Sequence, residues 1–250
     1  MIDSLGDRMK EKYEDRTRYF LPRRTYTIIR VDGKSFHSYT KGFERPFDSL
    51  LSNCMDATAV SLCKAIQGAQ IGYVQSDEIS LLLTDFDNVQ TDAWFNGNLQ
   101  KIVSISAAMA TMAFSSQATV CGLPNTVTFD ARAFTIPDRE EVMNYFVWRQ
   151  QDATRNSVQM VAQSLYSHKE LHGKNNSELQ EMIHAKGQNW DAYPPRHKRG
   201  AAIVKTSFTE SRGFTPFEGN ERHWWVADKN TPIFTQHREY LNERTPTPGY

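Results

Sequence analysis

The order of strand-like and helix-like segments in the first half of the chain limits the folds that it can adopt. Runs rich in β-branched and aromatic residues alternate with segments whose apolar residues recur at helical spacing. Between the second and third strand-like runs stand only Ser76, Asp77 and Glu78, which is the spacing of a β-hairpin. The predicted order is βαββαβ, and its segments are residues 24–32, 48–67, 69–75, 79–84, 91–114 and 126–134.

This order predicts an α+β fold of the ferredoxin-like, split-βαβ type, in which the first and third strands are antiparallel neighbours at the sheet centre. The end of the first strand, at Asp32, therefore lies beside the hairpin that contains Asp77 and Glu78. Asp77 follows Asp32 by 45 positions in the sequence. We expect all three carboxylates at one edge of the sheet.

Carboxylates that converge at a strand end suit hard divalent cations. Mg²⁺ takes oxygen ligands and is usually held by one or two carboxylates, with substrate phosphates and water completing its shell. Two such ions serve phosphoryl transfer by activating the attacking oxygen and stabilising the leaving one. The spacing alone leaves a second interpretation open, in which Asp32 and Asp77 are polar turn residues beside Gly33.

Two basic segments could bind phosphates. The first follows the first strand and carries Lys34, Lys41 and Arg45, and its His37 fits either a phosphate donor or a packed structural residue. The second could bind a polyanion or be a solvated face. It comprises Arg196, His197, Lys198, Arg199, Lys205 and Arg212.

Charge and composition exclude several classes of protein. Lysine plus arginine and aspartate plus glutamate each number 29, so the zero net charge excludes a uniformly basic nucleic-acid-coating protein. No apolar run has the length of a membrane span, and the N-terminal segment is charged where a signal peptide is apolar. The spacing of Cys54, Cys63 and Cys121 fits neither a disulfide framework nor a zinc site. We expect a cytoplasmic protein that makes no membrane contact.

Three ordered motifs resemble signatures of the tRNA(His) guanylyltransferase superfamily. They read IIRVDGKSFHSYT, YVQSDEIS and FDARAFTIPDREEVMNYFVWRQQD, and a fainter match continues through HKRGAAIVK. The resemblance implies a polymerase-type palm that adds nucleotides in the 3′ to 5′ direction at the 5′ end of tRNA. It places a palm-like catalytic domain with an N-terminal helix at residues 1–136. It places an appended, mainly helical region with the basic segment and a C-terminal tail at 137–250.

The resemblance also implies roles for individual residues. The metal-binding groups are Asp32, Asp77 and the backbone carbonyl of Gly33, and Glu78 is their acidic catalytic partner. The implied nucleotide-binding residues are Gly33, Lys34, Ser35, Phe36, His37, Arg45, Ser76 and Lys101. Those implied to support the site or contact RNA are Arg30, Arg132, Lys198 and Arg199.

The implied cofactor is a pair of Mg²⁺ ions, and the implied substrates are ATP, GTP or other nucleoside triphosphates together with tRNA. In the family, ATP adenylylates a 5′-monophosphate, and the 3′-hydroxyl of an incoming nucleotide then attacks the activated phosphate. The resemblance also implies a homotetramer built as a dimer of dimers. We expect the same assembly for this chain.

The sequence departs from the eukaryotic pattern in two places. Residues 154–160, TRNSVQM, replace the H-I-N-N-L-Y-N motif that follows W-R-Q-x-D, and Asn98 stands where those enzymes have a basic triphosphate contact. Loss of the histidine motif resembles the guanylyltransferase-like branch, which repairs 5′-truncated tRNAs by template-directed addition. We expect that function. Alternatives are single guanylate addition to tRNA(His), a cyclase-like nucleotidyl enzyme and a non-catalytic RNA-binding palm protein.

Overall fold

The computed structural model describes residues 4–208 and 222–248. Its strands are β1 (Tyr26–Gly33), β2 (Ala69–Gln75), β3 (Glu78–Leu83), β4 (Phe129–Ile136), β5 (Ala201–Phe208) and β6 (Arg222–Asp228). They form one antiparallel sheet in the order β4-β1-β3-β2-β5-β6. The first four strands therefore have the predicted ferredoxin-like arrangement, and the α+β fold class is confirmed.

The helices cover both faces of this sheet. The two long helices on one face are α3 and α4, and α5 packs on the other face. The helices are α1 (Leu5–Met9), α2 (Phe36–Tyr39), α3 (Ser49–Ala65), α4 (Leu99–Cys121), α5 (Arg139–Leu165), α6 (His168–Leu171), α7 (Asn176–Ala185), α8 (Pro195–Arg199) and α9 (Arg238–Asn242).

Side-chain caps fix the starts of the long helices. Asp48 accepts a hydrogen bond from the Leu51 amide at the start of α3, and Asp138 caps α5 in the same way. These caps satisfy amide groups that have no partner inside the helix.

Some predicted boundaries are wrong. Helix α4 begins at Leu99 and not near residue 91, because Phe95 and Asn96 have left-handed backbone angles, with φ of 50° and 52°, which an α-helix cannot contain. Strand β4 begins three residues later than predicted. The N-terminal helical pattern is α-helical only over α1, followed by a π turn and a 3₁₀ turn.

The core consists of two main layers and one smaller cluster. Alternate residues of β1 divide between the layers: Ile29 and Val31 pack against α3 and α4, whereas Ile28 packs against α5. A third cluster joins α5 to α7. The predicted boundary after residue 136 falls between β4 and α5, yet β5 pairs with β2, so both parts of the chain share one sheet.

Within residues 4–208 and 222–248, none of the helices is long and apolar enough to cross a bilayer.

Candidate active site

The end of β1 meets the β2–β3 hairpin as the strand order predicts. The amide of Gly33 donates a hydrogen bond to the carbonyl of Asp77 at 3.2 Å. Asp32 lies directly opposite Glu78 on β3 and opposite Asp130 on β4. Three carboxylates on strands and Asp77 in the β2–β3 turn therefore gather at one end of the sheet, and Asp130 is not among the residues predicted from the sequence.

Burial makes the ionised forms of two of these carboxylates unfavourable. Desolvation, with a smaller contribution from the charge of Asp32, raises the pKa of Asp77 to about 6 against the lowering effect of the Ser76 hydroxyl hydrogen bond. Desolvation and the charge of Asp130 also raise the pKa of Asp32, although Arg132 and Arg30 lower it. Both shifts reflect negative charge held close together away from water.

This donor set fits Mg²⁺. A divalent cation would relieve the repulsion that raises both pKa values, and Mg²⁺ needs only one or two protein carboxylates when phosphate oxygens and water fill its remaining positions. In the described part of the chain, no cluster of three or more histidine, cysteine or acidic side chains is arranged to hold a metal. Asp32 and Asp77, with the neighbouring Gly33 carbonyl, are the residues that would bind the ions.

Glu78 is held differently from the two aspartates. Arg149 of α5 donates to both of its oxygens, from Nε at 2.7 Å and from Nη2 at 2.9 Å. The Arg149 and Glu78 side chains are 6% and 13% exposed. Because both carboxylate oxygens accept from one guanidinium, the structure makes Glu78 a partner of Arg149 rather than a free metal ligand.

The same arginine extends the network beyond Glu78. Its Nη2 also lies 2.8 Å from Asp152, three residues along α5, and its guanidinium stacks on the ring of Trp148 at 4.3 Å from the centroid. Asp152 in turn accepts from Arg155 at 2.6 Å. In the sequence, the WRQQD segment stands out only as part of a family motif. The three-residue spacing of its arginine and aspartate was the available signal for this network.

The turn after β1 is shaped by packing. The ring of Phe36 lies against Gly33, where a Cβ atom would stand 2.1 Å from the ring, so only glycine fits. Phe36 is buried against Phe114 and Phe129. Its side chain therefore belongs to the core, so the predicted nucleotide contact of Phe36 would be made by its backbone.

Several polar residues of this region are exposed. Ser35 and Ser76 both adopt left-handed backbone angles, with φ of 57° and 47°, which is uncommon for a residue with a side chain. Their side chains are exposed, as are those of Lys34, His37 and Arg45. These five residues stay predicted nucleotide contacts.

Lys101 lies at the other end of the palm. Helix α4 starts beside the segment that precedes β1, since the Leu99 amide donates a hydrogen bond to the Tyr19 carbonyl at 3.0 Å. The C-terminal end of α4 leads into β4, and the first residue of β4 pairs with Gly33. The helix has 23 residues, or about 34 Å at 1.5 Å per residue. Lys101 is in its first turn. Within one chain the structure does not bring Lys101 to Asp32 or Asp77.

Arg30 and Arg132 flank the carboxylates on paired positions of β1 and β4. The Nε of Arg30 lies 4.0 Å from Glu78 Oε2, and Arg30 is largely buried. Arg132 is exposed, with Nη2 3.7 Å from Asp130 Oδ1. Both arginines support the ionised carboxylates electrostatically, and a direct contact with RNA stays a prediction.

Lys198 does not project from the surface. Its ammonium group donates to the carboxylate and to the carbonyl of Asp191, both at 2.6 Å, and lies over the Trp190 ring. The side chain is 8% exposed. Lys198 is therefore not a free surface cation, because its charge is already paired with Asp191, and its contact with RNA stays a prediction.

The rest of the basic segment is also mixed. Arg196 is buried and pairs with Asp56, Nη2 to Oδ1 at 2.7 Å. Arg199 is partly exposed and stays a predicted RNA contact. Arg212 lies outside the described residues. The described part of the segment is thus not a continuous row of surface cations.

A comparison with protein families agrees with this site. Residues 6–137, more than half of the chain and the part that contains Asp32, Asp77 and Glu78, match the model of the tRNAHis guanylyltransferase family. The chain belongs to this family. Its members are nucleotidyltransferases that act on tRNA, so the predicted superfamily and enzyme class are confirmed.

Solved structures and curated relatives support the same assignment. A bacterial tRNA(His) guanylyltransferase-like protein in complex with ATP is 42% identical, with a TM-score of 0.86 over 97% of this chain and 99% of that one. A second structure, of a bacterial tRNA(His) guanylyltransferase-like protein in complex with GTP, is 41% identical, with a TM-score of 0.82 over 98% of this chain and 100% of that one. The tRNA(His) guanylyltransferase of Schizosaccharomyces pombe is 27% identical over 200 residues, 72% of this chain and 74% of that protein.

Proposed function

We propose that this family member extends the 5′ ends of truncated tRNAs in the 3′ to 5′ direction, choosing each nucleotide by pairing with the opposite strand. The observation that carries the proposal is the approach of Asp32 and Asp77 through the hydrogen bond between the Gly33 amide and the Asp77 carbonyl. The likeness to a guanylyltransferase-like protein that binds ATP and GTP supports nucleoside triphosphates as substrates.

Asp32, Asp77 and the Gly33 carbonyl would hold two Mg²⁺ ions. When bound, such ions polarise the attacked phosphate and lower the pKa of the attacking hydroxyl. Lys34 and Ser76, which neighbour these carboxylates in sequence, and Arg45 are exposed and would bind the triphosphate oxygens. The positive charges of Arg30 on β1 and Arg132 on β4 favour the ionised form of Asp32, since they lower a pKa that burial and Asp130 raise.

A monophosphorylated 5′ end would react in two steps. The RNA 5′-phosphate attacks ATP, receives the adenylyl group and releases pyrophosphate. The 3′-hydroxyl of the incoming nucleotide then attacks the 5′-phosphate bound to the adenylyl group, and AMP leaves. A triphosphorylated 5′ end needs only the second step, with pyrophosphate as the leaving group. Both steps are phosphoryl transfers that the same pair of carboxylates can serve.

Dependence on a template is inferred from residues 154–160. This segment lies in α5, one residue beyond Asp152, and stands where the eukaryotic enzymes have the histidine motif. A matched nucleotide gains about 1 to 2 kcal/mol per stacked step in a duplex, which is enough to favour it over an unmatched one.

The test uses tRNAs that lack their first 5′ nucleotide. We expect incorporation of the Watson–Crick complement of the opposite base, and we expect the incorporated nucleotide to change when that base is changed. Asp32→Ala protein serves as the inactive control. Guanylate addition regardless of the opposite base, with a preference for full-length tRNA(His), would contradict the proposal and favour the single-addition alternative.

We also propose a cytoplasmic homotetramer. Leu5, Met9 and Tyr13 are at least 48% exposed on the N-terminal segment, which is consistent with an apolar surface covered by a further copy of the chain. Light scattering after size-exclusion chromatography measures the mass. A mass equal to one 28.7 kDa chain would contradict a tetramer.

A further inference from the structure

The second half of α5 extends beyond the catalytic end of the sheet. Helix α5 starts at Arg139 after β4, and its Arg149 contacts Glu78 at that end. Leu165, the last residue of α5, follows Arg149 by about 24 Å along the helix axis at 1.5 Å per residue. The apolar cluster that joins this half of α5 to α7 includes no strand residue among those that the structure describes. This half therefore lies past the sheet end that carries the carboxylates.

A polar track on α5 leads from Arg149 into this projecting half. The residues of the track recur three or four positions apart, so they lie on one face of the helix. They are Arg149, Asp152, Asn156, Gln159 and Gln163. Gln159 and Gln163 are exposed. Along the helix axis they lie about 15 and 21 Å from Arg149.

A cavity opens where this track ends. Its volume of about 120 Å³ is several times the space that one water molecule needs. Leu171 and Leu179 supply its apolar lining. Its polar lining consists of Gln159, Gln163, His168, His172 and Lys174. The track thus connects the catalytic end of the sheet with a polar cavity between α5, α6 and α7.

The polar lining of this cavity consists of hydrogen-bond donors. An ammonium group, an imidazole ring and a carboxamide each offer at least one N–H group. The rings of His168 and His172 have centroids 6.3 Å apart. Within residues 4–208 and 222–248, no carboxylate belongs to the lining. Because the lining combines several N–H donors with a lysine charge, it suits an oxyanion such as phosphate and disfavours a cation.

Lys174 is available to such an anion. Its Nζ lies 3.3 Å from Glu178 Oε1, and the two side chains are 41% and 44% exposed. An exposed pair of this kind contributes little free energy. The other oxygen of Glu178 accepts from the Asn175 amide at 2.8 Å, so Glu178 has a second role as part of a helix cap. A phosphate oxygen can therefore share the ammonium group with Glu178.

We propose that this cavity binds a backbone phosphate of the RNA duplex that carries the reacting 5′ end. The proposal rests on the proposed function only in taking that RNA as the ligand. The far end of the cavity lies about 21 Å along α5 from Arg149, a distance that a duplex covers with phosphates along its whole length. A phosphate contact holds the RNA without reading its bases, which fits an enzyme that acts on more than one tRNA.

The first test measures the Kd of a 5′-truncated tRNA at several KCl concentrations. Lys174→Gln removes the charge, so we expect the slope of log Kd against log[KCl] to fall by about one, the value for one lost phosphate contact. Lys174→Arg should restore the slope. Lys169→Gln is the matched control, since Lys169 is exposed beside His168 but does not line the cavity, and we expect it to keep the wild-type slope.

The second test locates the phosphate on the RNA. Single methylphosphonate linkages, which carry no charge, are placed in turn along both strands of the acceptor duplex. We expect one linkage or two adjacent linkages to weaken binding to wild-type protein about threefold. The same linkages should leave binding to Lys174→Gln unchanged, because either change removes the same contact. The double variant His168→Gln, His172→Gln should likewise reduce the effect of these linkages.

A free nucleotide carries the same oxyanion, so a third titration uses GTP with Mg²⁺. We expect wild-type protein and Lys174→Gln to bind GTP with the same Kd. Weaker GTP binding by the variant, with its RNA binding unchanged, would overturn the assignment to RNA.

Three further results would overturn the proposal. An unchanged salt slope in Lys174→Gln would show that the cavity is merely solvated, and an equal fall in Lys169→Gln would show a general effect of charge. Absence of any linkage whose effect depends on Lys174 would remove the contact with the duplex. None of these measurements needs turnover. An unchanged slope alongside template-directed extension would therefore refute only the phosphate site, whereas a Lys174-dependent linkage without extension would refute only the proposed function.

Discussion

Replacing Arg149 by methionine tests how Glu78 is held. The change keeps the aliphatic part of the side chain and removes the guanidinium that donates to both Glu78 oxygens at 2.7 and 2.9 Å. Glu78 is 13% exposed, so water replaces these bonds poorly and a buried charge loses its partner. Such losses cost about 3 to 5 kcal/mol. Because Arg30 stays 4.0 Å from Glu78, we expect about 3 kcal/mol, or a Tm lower by roughly 6 to 12 °C.

The assay is equilibrium urea unfolding of wild-type protein, Arg149→Met, Glu78→Gln and the double variant. The double variant removes both the guanidinium and the Glu78 charge, and Asp152 stays paired with Arg155. We therefore expect the double variant to recover at least 1 kcal/mol of the unfolding free energy that Arg149→Met loses. The reasoning is refuted if Arg149→Met loses less than about 1 kcal/mol, or if the two single losses simply add.

Three further predictions concern the site and its surroundings. Asp77→Asn is expected to abolish nucleotide addition, measured by single-turnover assays, without lowering stability at pH 7. Since folding raises the Asp77 pKa to about 6, the wild-type protein should gain stability relative to this variant as the pH falls from 7 toward 4; an unchanged difference contradicts the burial of its charge. Gly33→Ala places a methyl group against the Phe36 ring and should lower the free energy of unfolding by about 1 to 3 kcal/mol, measured by thermal unfolding, whereas Gly6→Ala, with open space around it, should lower it little. Equal melting temperatures of the two variants would show that Gly33 is not required by packing. Lys198→Ala should lower the melting temperature but leave the salt dependence of tRNA binding unchanged, with Lys205→Ala, at an exposed position, as the control for stability. A weaker salt dependence of tRNA binding in Lys198→Ala would show that Lys198 contacts the RNA.

The sequence by itself determined the order of the elements and the meeting of Asp32 with Asp77. Hydrophobic periodicity is a local property, and it is strong enough in β1, α3 and the hairpin to identify each element. Once the βαββαβ order is known, topology rules allow few arrangements, and they place strands β1 and β3 side by side. The carboxylates at their adjoining ends then meet regardless of the details of packing.

Boundaries and side-chain partners were decided only by the tertiary structure. The start of α4 depends on two residues with left-handed backbone angles, which periodicity does not reveal. Glu78 looked like the third member of an acidic site, yet Arg149, 71 positions away, takes both of its oxygens. Lys198 looked like a surface cation in a basic run until Asp191 and the neighbouring indole enclosed it.

The physical reason is that ion pairing and burial depend on which residues are close in space, not on which residues are close in the sequence. A lysine in a basic segment has the same sequence signature whether its ammonium group faces water or a carboxylate inside the fold. Arg196 and Asp56 are 140 positions apart and form a buried pair only because α8 packs near α3 and α5. The unsatisfied oxygen of Gln75 likewise exists only because segments distant in sequence close around it and exclude other partners.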